Sequence, residues 1–155
     1  MTGEPSLHRQ VETRLRAHDI RYTRGRRRVV KALATADGPR TAAELHAQLA
    51  HDIPVSSLYR SLATFEEVGV VSPHYSTKGI ARYELAEWIT GHHHHFLCVE
   101  CGAVDDIELP ETLERALAEF VEAVGADVDF TALRHALDIE GLCAVCAPHV
   151  AGRRN

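Results

Sequence analysis

Apolar side chains recur every three or four positions in the first 70 residues, the spacing that one buried face of an α-helix produces. Leu7, Val11 and Leu15 predict a first helix over residues 6–18. The same spacing, with Thr or Ser at the cap position, predicts three more helices: from Thr23 to near Gly38, over 42–50 after Thr41, and over 57–68 after Ser56.

The pattern changes after residue 69. Val70-Val71 and residues 81–85 lie on either side of the turn-rich segment 76–79, and this arrangement predicts a β-hairpin. Further on we expect strands over 95–99 and 103–107, a helix over 111–124 that ends at Gly125, and a strand over 133–140. The predicted fold class is α/β (α+β), with an N-terminal winged helix-turn-helix domain over 1–85, a hinge over 86–91 and a C-terminal α/β domain over 92–150.

Composition agrees with a folded chain, because 45% of the 155 residues are apolar and 25% are charged. No apolar run approaches the roughly 20 residues of a membrane helix, and the N-terminus lacks the apolar core of an export signal, so we expect a cytoplasmic protein with no membrane partner. The net charge of −5 hides a division: residues 1–72 hold 11 Lys and Arg against 8 Asp and Glu, whereas residues 73–155 hold 6 against 14.

The four cysteines form two C-x-x-C pairs. Cys98 and Cys101 make one pair, and Cys143 and Cys146 make the other. In a reducing compartment such pairs are typical of a tetrahedral structural Zn²⁺ site rather than of disulfides. The 41 residues between the pairs indicate a site that joins the two ends of a whole domain; buried or redox-active thiols are the alternative.

Nine basic residues cluster before the fourth predicted helix, between Arg9 and Lys31. Such a cluster suits a solvated helix face or contacts to DNA phosphates. The fourth helix would present Ser57, Tyr59, Arg60 and Thr64 to a major groove. Tyr59 could contact a thymine methyl group, and Arg60 could reach a phosphate or a guanine. The alternative for Tyr59 is packing within the helical bundle.

Four consecutive histidines, His92 to His95, directly precede Phe96-Leu97-Cys98. Alternate side chains of an extended chain point to opposite faces. His92 and His94 would therefore serve one metal site, and His93 and His95 another. Each pair needs further ligands, and the Asp and Glu residues in the acidic second half of the chain are candidates.

This chain resembles the ferric uptake regulator (Fur) family of bacterial metal-responsive regulators from about Leu15 to Cys146. The most specific likeness is Tyr83-Glu84-Leu85 followed by HHHHFLCVECG and the second C-x-x-C pair. The resemblance also includes Arg21 and Arg26 at the start of the second helix and Ser57-Leu58-Tyr59-Arg60, which is similar to the family's T-V-Y-R recognition segment. It implies a homodimeric, metal-dependent repressor of metal-uptake or oxidative-stress genes that binds a double-stranded DNA operator and dimerises through the C-terminal domain.

The resemblance also implies two further metal sites. The regulatory site, for Fe²⁺, Zn²⁺ or Mn²⁺, would consist of Glu84, His93, His95 and Asp106. A second site would consist of His92, His94, Glu114 and His135, although Glu111 lies one helical turn from Glu114 and either carboxylate could serve.

Two departures from the family are evident. Many relatives carry a His before the third helix, where this chain has Gly38-Pro39-Arg40. His74 or His46 could replace it, but we expect both on the surface. All four cysteines are already assigned, so the regulatory site has only N and O donors, which suits Fe(II) or Mn(II) without excluding Zn(II) or Ni(II). An Asp at position 106, rather than the Glu common in iron sensors, is similar to the peroxide-sensing members of the family. Those members oxidise a metal-bound His through Fe(II).

Other classes of function remain as alternatives. A zinc-dependent hydrolase could use the same His, Asp and Glu residues, but the chain has no H-E-x-x-H sequence. A metal-storage protein would not need the Arg-rich helices.

Overall fold

A computed structural model describes residues 3–76 and 78–151 of the chain. The N-terminal unit contains four helices: α1 (Gly3–Arg16), α2 (Arg24–Ala34), α3 (Ala42–Leu49) and α4 (Val55–Glu67). Their apolar faces form the main core, in which Leu15, Leu45 and Phe65 are fully buried. Among the described residues, no helix has both the length and the apolar character that a membrane span requires.

Capping residues determine where these helices begin and end. Thr23 caps α2 and Thr41 caps α3 through their side chains, as predicted. Thr41 also forms a reciprocal capping box with Glu44. The prediction that α2 extends to near Gly38 is wrong, because the helix ends at Ala34 with Thr35 as its C-cap. The backbone N–H and the hydroxyl of Thr35 both donate to Lys31 O. Ser56 is not the cap of α4; the carbonyl of Pro54 accepts the first helical hydrogen bonds.

A three-stranded antiparallel sheet follows the helices. It contains β1 (Arg40–Thr41), β2 (Val71–Tyr75) and β3 (Ala81–Leu85) in the order β1-β3-β2. β2 and β3 form the predicted hairpin, in which Ser72 pairs with Glu84 and His74 with Arg82. Thr77, in the predicted turn, lies outside the described residues. Helices followed by this hairpin are the arrangement of a winged helix-turn-helix.

The C-terminal unit is a second three-stranded sheet with one long helix. The short helix α5 (Glu87–Thr90) precedes β4 (His94–Cys98), β5 (Val104–Ile107), α6 (Glu111–Asp127), β6 (Asp138–Gly141) and α7 (Ala147–Ala151). The central strand β4 pairs antiparallel with β5 and parallel with β6. The fold is therefore of the mixed α+β class.

Two predictions in this unit are wrong. Gly125 does not end α6 but lies in its last turn, where a Cβ would stand 2.4 Å from Phe130 O and would block the return of the chain. The strand predicted over 133–140 is shortened to β6, whose register with β4 begins where Asp138 lies opposite His95. The carbonyl of Leu137 accepts one further hydrogen bond from His95 N, and residues 133–136 lie outside the sheet. Leu133, expected on the strand, is 92% exposed.

Hydrogen bonds join the two units along the hairpin. Arg82 donates from Nε to Gly102 O over 2.6 Å, and Lys78 donates to Glu100 O, so the wing lies against the first cysteine turn. Trp88 of α5 donates to Gly69 O over 2.6 Å. These contacts place the end of β3 beside the start of β4.

Candidate metal centres and DNA-binding surface

The four cysteines meet in one cluster at the end of β4. Cys98 is the last residue of β4, and Cys101 lies in the turn before β5. Cys143 and Cys146 come from the segment between β6 and α7. Their sulfur atoms lie within 4.8 Å of one another, and Cys101 Sγ is 3.8 Å from Cys143 Sγ. Zinc–sulfur bonds of about 2.3 Å give a tetrahedron with edges of roughly 3.8 Å, so the cluster fits Zn²⁺.

The pKa values of Cys98 and Cys146 are shifted in opposite directions within the cysteine cluster. Backbone N–H groups of Cys101 and Cys143 lower the pKa of Cys98 to about 6, so this thiol is ionised at neutral pH. Hydrogen bonding to Cys143, together with burial, raises the pKa of Cys146 to about 12. A cation at the centre of the cluster would stabilise all four thiolates.

A second cluster joins the two units. Glu84 lies on β3, His93 and His95 come from the start of β4, and Asp106 lies opposite His95 on β5. The two carboxylate oxygens of Glu84 face different histidines: Oε2 is 3.0 Å from His93 Nε2, and Oε1 is 3.1 Å from His95 Nε2. The donor atoms of the four residues lie within 4.8 Å of one another. Nitrogen and oxygen donors at this spacing fit a divalent cation.

The charges of this cluster depend on one another. Burial would raise the pKa of Glu84, but hydrogen bonds with His74, His95 and His93 outweigh it and hold that pKa well below its usual range. Burial would lower the pKa of His95, but its contacts with Glu84 raise it. The pKa of Asp106 is raised by its burial and by the charge of Glu84. At Asp106 burial and the charge of Glu84 therefore outweigh the attraction of the imidazoles, whereas at Glu84 the imidazoles prevail.

His74 is not on the surface, contrary to the sequence-based expectation. Its side chain is 15% exposed, and its Nε2 lies 2.6 Å from Glu84 Oε1. Among the described residues, His74 also forms a group of metal-ligand type with His95 and Asp138, whereas His46 on α3 belongs to no such group. Asp138 Oδ1 lies 3.2 Å from His95 Nδ1. Sequence reasoning gave Asp138 no role, because the register that places it beside His95 is not visible in the sequence.

A third cluster lies on the opposite face of β4. His94 Nε2 is 2.9 Å from Glu114 Oε2, and His135 Nε2 is 3.0 Å from Glu114 Oε1. His92 completes the group, with its Nε2 3.2 Å from that of His135. Glu111, the alternative to Glu114, is 91% exposed at its side chain and pairs with Arg115. Within the part of the chain that the structure describes, His94 Nδ1 is the buried side-chain atom without a hydrogen-bond partner.

Helix α4 offers an exposed face to a DNA duplex. Tyr59 is 54% exposed and does not pack into the bundle, and Arg60 beside it contacts Ser57 Oγ at 3.3 Å. Arg26 lies between elements: it donates to Arg21 O over 2.6 Å and to Thr64 Oγ1 over 3.2 Å. Arg26 therefore connects the start of α2 to α4, and Arg21 is exposed beside it.

Helix α6 carries an apolar face that is exposed in the part of the chain that the structure describes. Gly125 is its buried residue, whereas Leu113, Phe120 and Val124 are exposed, Phe120 by 64%. Phe130 is exposed just beyond the helix. Contiguous apolar surface of this kind marks a protein–protein interface.

Comparison with known proteins gives a consistent result. Residues 17–137 match the family model of the ferric uptake regulator family. The chain is similar to the peroxide-responsive repressor PerR of Staphylococcus saprophyticus, with 30% identity over 138 residues that cover 86% of this chain and 87% of that protein. It is similar to the ferric uptake regulation protein of Bacillus subtilis, with 30% identity over 142 residues that cover 88% and 92%. The Helicobacter pylori ferric uptake regulator Fur shares its fold, with a TM-score of 0.73, 22% identity and 93% of each chain covered.

Proposed function

Since this chain belongs to the ferric uptake regulator family, we propose that a divalent cation held by Glu84, His93, His95 and Asp106 controls its binding to an operator. The chain is a metal-dependent DNA-binding transcriptional repressor and not an enzyme. The observation that carries the proposal is the position of Glu84 on the wing hairpin, with its carboxylate between His93 and His95 of the other unit. Neither a hydrolase nor a metal-storage protein needs this arrangement.

The control follows from linkage. Glu84 moves with the DNA-binding unit, whereas His93, His95 and Asp106 move with β4 and β5. A cation shared by all four therefore favours the arrangement of units in which they meet. If it favours the arrangement that fits an operator by about 1–3 kcal/mol, operator affinity rises roughly 5–150-fold, and the operator tightens cation binding by the same factor.

The remaining parts support a homodimer on duplex DNA. The exposed apolar face of α6 is the proposed contact between protomers. A dimer presents two copies of α4 to successive major grooves, with Tyr59, Arg60 and Ser57 facing the bases and phosphates. Arg21 contacts phosphate, and Arg26 positions α4 through Thr64. Because an operator of a bacterial gene lies in the cytoplasm, we place the protein there.

Zn²⁺ at the cysteine cluster has a structural role in this proposal, because the binding energy of such a site is folding energy. The cluster of His92, His94, Glu114 and His135 is a second divalent-cation site within the C-terminal unit. Fe²⁺, Mn²⁺ or Zn²⁺ is the regulatory ion, since the donors at Glu84 and its neighbours are N and O atoms.

The test is operator binding by fluorescence anisotropy, with Fe²⁺, Mn²⁺ or Zn²⁺ added singly and then removed with a chelator. His93→Ala and His95→Ala should abolish the metal response while the dimer and its cysteine-bound zinc persist. An unchanged metal response in both variants would refute the assignment. Cys98→Ser should instead cause loss of zinc and of the folded dimer.

Response to peroxide is a second function that a specific observation favours. Asp106, rather than a Glu, lies in the cluster, and one similar protein is a peroxide-responsive repressor. In this function peroxide is the oxidant: one of its oxygen atoms would be added to a ligand His and the other released as water. Fe(II) held by the cluster would supply the redox chemistry that promotes this reaction. Peptide mass spectrometry should find oxidised His93 or His95 after peroxide treatment with Fe(II), but not with Mn(II). Equal amounts with both metals would exclude this function.

A further inference from the structure

His74 lies against the regulatory cluster from the side of the wing. It is on β2, its side chain is 15% exposed, and its Nε2 is 2.6 Å from Glu84 Oε1. The same oxygen is 3.1 Å from His95 Nε2, and the rings of His74 and His95 lie with their centroids 4.1 Å apart. Two imidazole nitrogens from different units thus converge on one carboxylate oxygen.

These separations match the spacing between neighbouring ligands of one cation. Metal–nitrogen and metal–oxygen bonds of about 2.1 Å place adjacent donor atoms roughly 3 Å apart. The distances from Glu84 Oε1 to His74 and His95 lie near that value, as does the distance from Glu84 Oε2 to His93.

Asp138 has a different role within the group that it forms with His74 and His95. Its carboxylate contacts His95 at Nδ1, on the far side of the ring from Glu84. A carboxylate at one ring nitrogen orients a histidine so that the other nitrogen binds metal. Asp138 is therefore a positioning residue, and His74 is the additional donor.

At Gly38 the loop before α3 approaches the same cluster, but a glycine has no side chain that could bind a cation. Gly38 has a φ of +99°, and a Cβ at this position would lie 3.7 Å from Asp106 Oδ1. Of these two approaches from the N-terminal unit, the one at His74 carries a donor side chain and the one at Gly38 does not.

We propose that His74 Nε2 is a fifth ligand of the cation bound by Glu84, His93, His95 and Asp106. This inference rests on the proposed function. The wing then contributes one ligand from each strand of its hairpin, His74 from β2 and Glu84 from β3. Glu84 pairs with Ser72, which precedes His74 by two residues. Occupation of the site fixes the hairpin as a unit rather than the end of β3 alone.

The experiment compares His74→Ala with His46→Ala as a matched control and with His93→Ala as a reporter of the site. Each full-length dimer, with zinc retained at its cysteines, is titrated with Co(II) in competition with a chelator, and its d–d absorption is recorded. His74→Ala should weaken Co(II) binding at least about tenfold. Its d–d bands should intensify as the coordination number falls, whereas His46→Ala should match the wild type.

The possible results are distinguishable. Weaker binding with an unchanged d–d spectrum would mean that His74 acts only through its hydrogen bond to Glu84, and the ligand assignment would be wrong. If His93→Ala loses binding while His74→Ala is unchanged in both affinity and spectrum, the further inference fails and the proposed function stands. If neither variant changes, the proposed regulatory site fails as well.

Discussion

Arg82 connects the wing to the zinc-binding turn, and its replacement should loosen the two units. Its side chain is 15% exposed. It donates to Gly102 O over 2.6 Å, to Glu44 Oε2 over 3.1 Å and to Pro39 O over 3.4 Å. Arg82→Met keeps most of the apolar stem and removes all three hydrogen bonds.

The expected cost follows from these partners. A hydrogen bond that involves a charged group contributes about 1.5–3 kcal/mol, and the carbonyl of Gly102 is left without this donor in a buried position. The contact with Glu44 contributes less, since that carboxylate is 42% exposed. We therefore expect Arg82→Met to lower the free energy of unfolding by about 2–4 kcal/mol. The hydrogen bond from Arg82 to Gly102 O joins the two units. Its loss should therefore also weaken operator binding, by roughly tenfold to 150-fold.

Urea unfolding of the zinc-loaded dimer and operator binding at saturating metal measure the two effects. Lys78→Met is the control, because Lys78 also donates to the cysteine turn, at Glu100 O, but is exposed. It should cost less than about 1 kcal/mol. If Arg82→Met and Lys78→Met have equal small effects on stability and on operator affinity, the hydrogen bonds between the units do not hold the wing in place.

Three further predictions address single features. Phe120→Glu places a charge on the exposed face of α6 and should convert the dimer to a folded monomer in sedimentation; a dimer that persists would refute the proposed interface. Gly125→Ala should lower the free energy of unfolding by about 1–3 kcal/mol because its Cβ meets Phe130 O, whereas Gly141→Ala, with nothing within 4 Å, should change it little; equal effects would refute the clash. Glu114→Gln should remove one bound divalent cation per chain by elemental analysis and Glu111→Gln should not; equal losses would mean that Glu114 is not the ligand.

The division of the histidine run could be predicted because it depends only on the local geometry of an extended chain. His93 and His95 lie on the side of Glu84, and His94 lies on the side of Glu114, as alternation along a strand requires. The clustering of the cysteines was likewise accessible from the C-x-x-C spacing. The first feature depends on residues that are adjacent in sequence, and the second depends on the ligand spacing that a zinc site requires.

Features that depend on strand register could not be predicted. The place of Asp138 beside His95 follows from the parallel pairing of β6 with β4, which no pattern in the sequence encodes. His74 illustrates the same point: its neighbour Tyr75 is exposed, and only the hairpin register brings His74 toward Glu84. The predicted strand over 133–140 failed for a related reason, since alternation identifies an extended chain but not whether a partner strand exists beside it.

Metal selectivity can be argued from the two kinds of cluster together. Zinc binds more tightly than Fe(II) or Mn(II) to almost any N, O or S donors, so affinity alone cannot keep it from the regulatory cluster. The four cysteine sulfurs form a closed tetrahedral set, which zinc prefers. The proposed regulatory site, with His74 added to Glu84, His93, His95 and Asp106, would have five donors, more than the four of a structural zinc site. A fifth donor favours the ions that accept five or six ligands, Fe(II) and Mn(II), over tetrahedral zinc. On the proposal that His74 is a ligand, the wing would therefore contribute to the choice of metal.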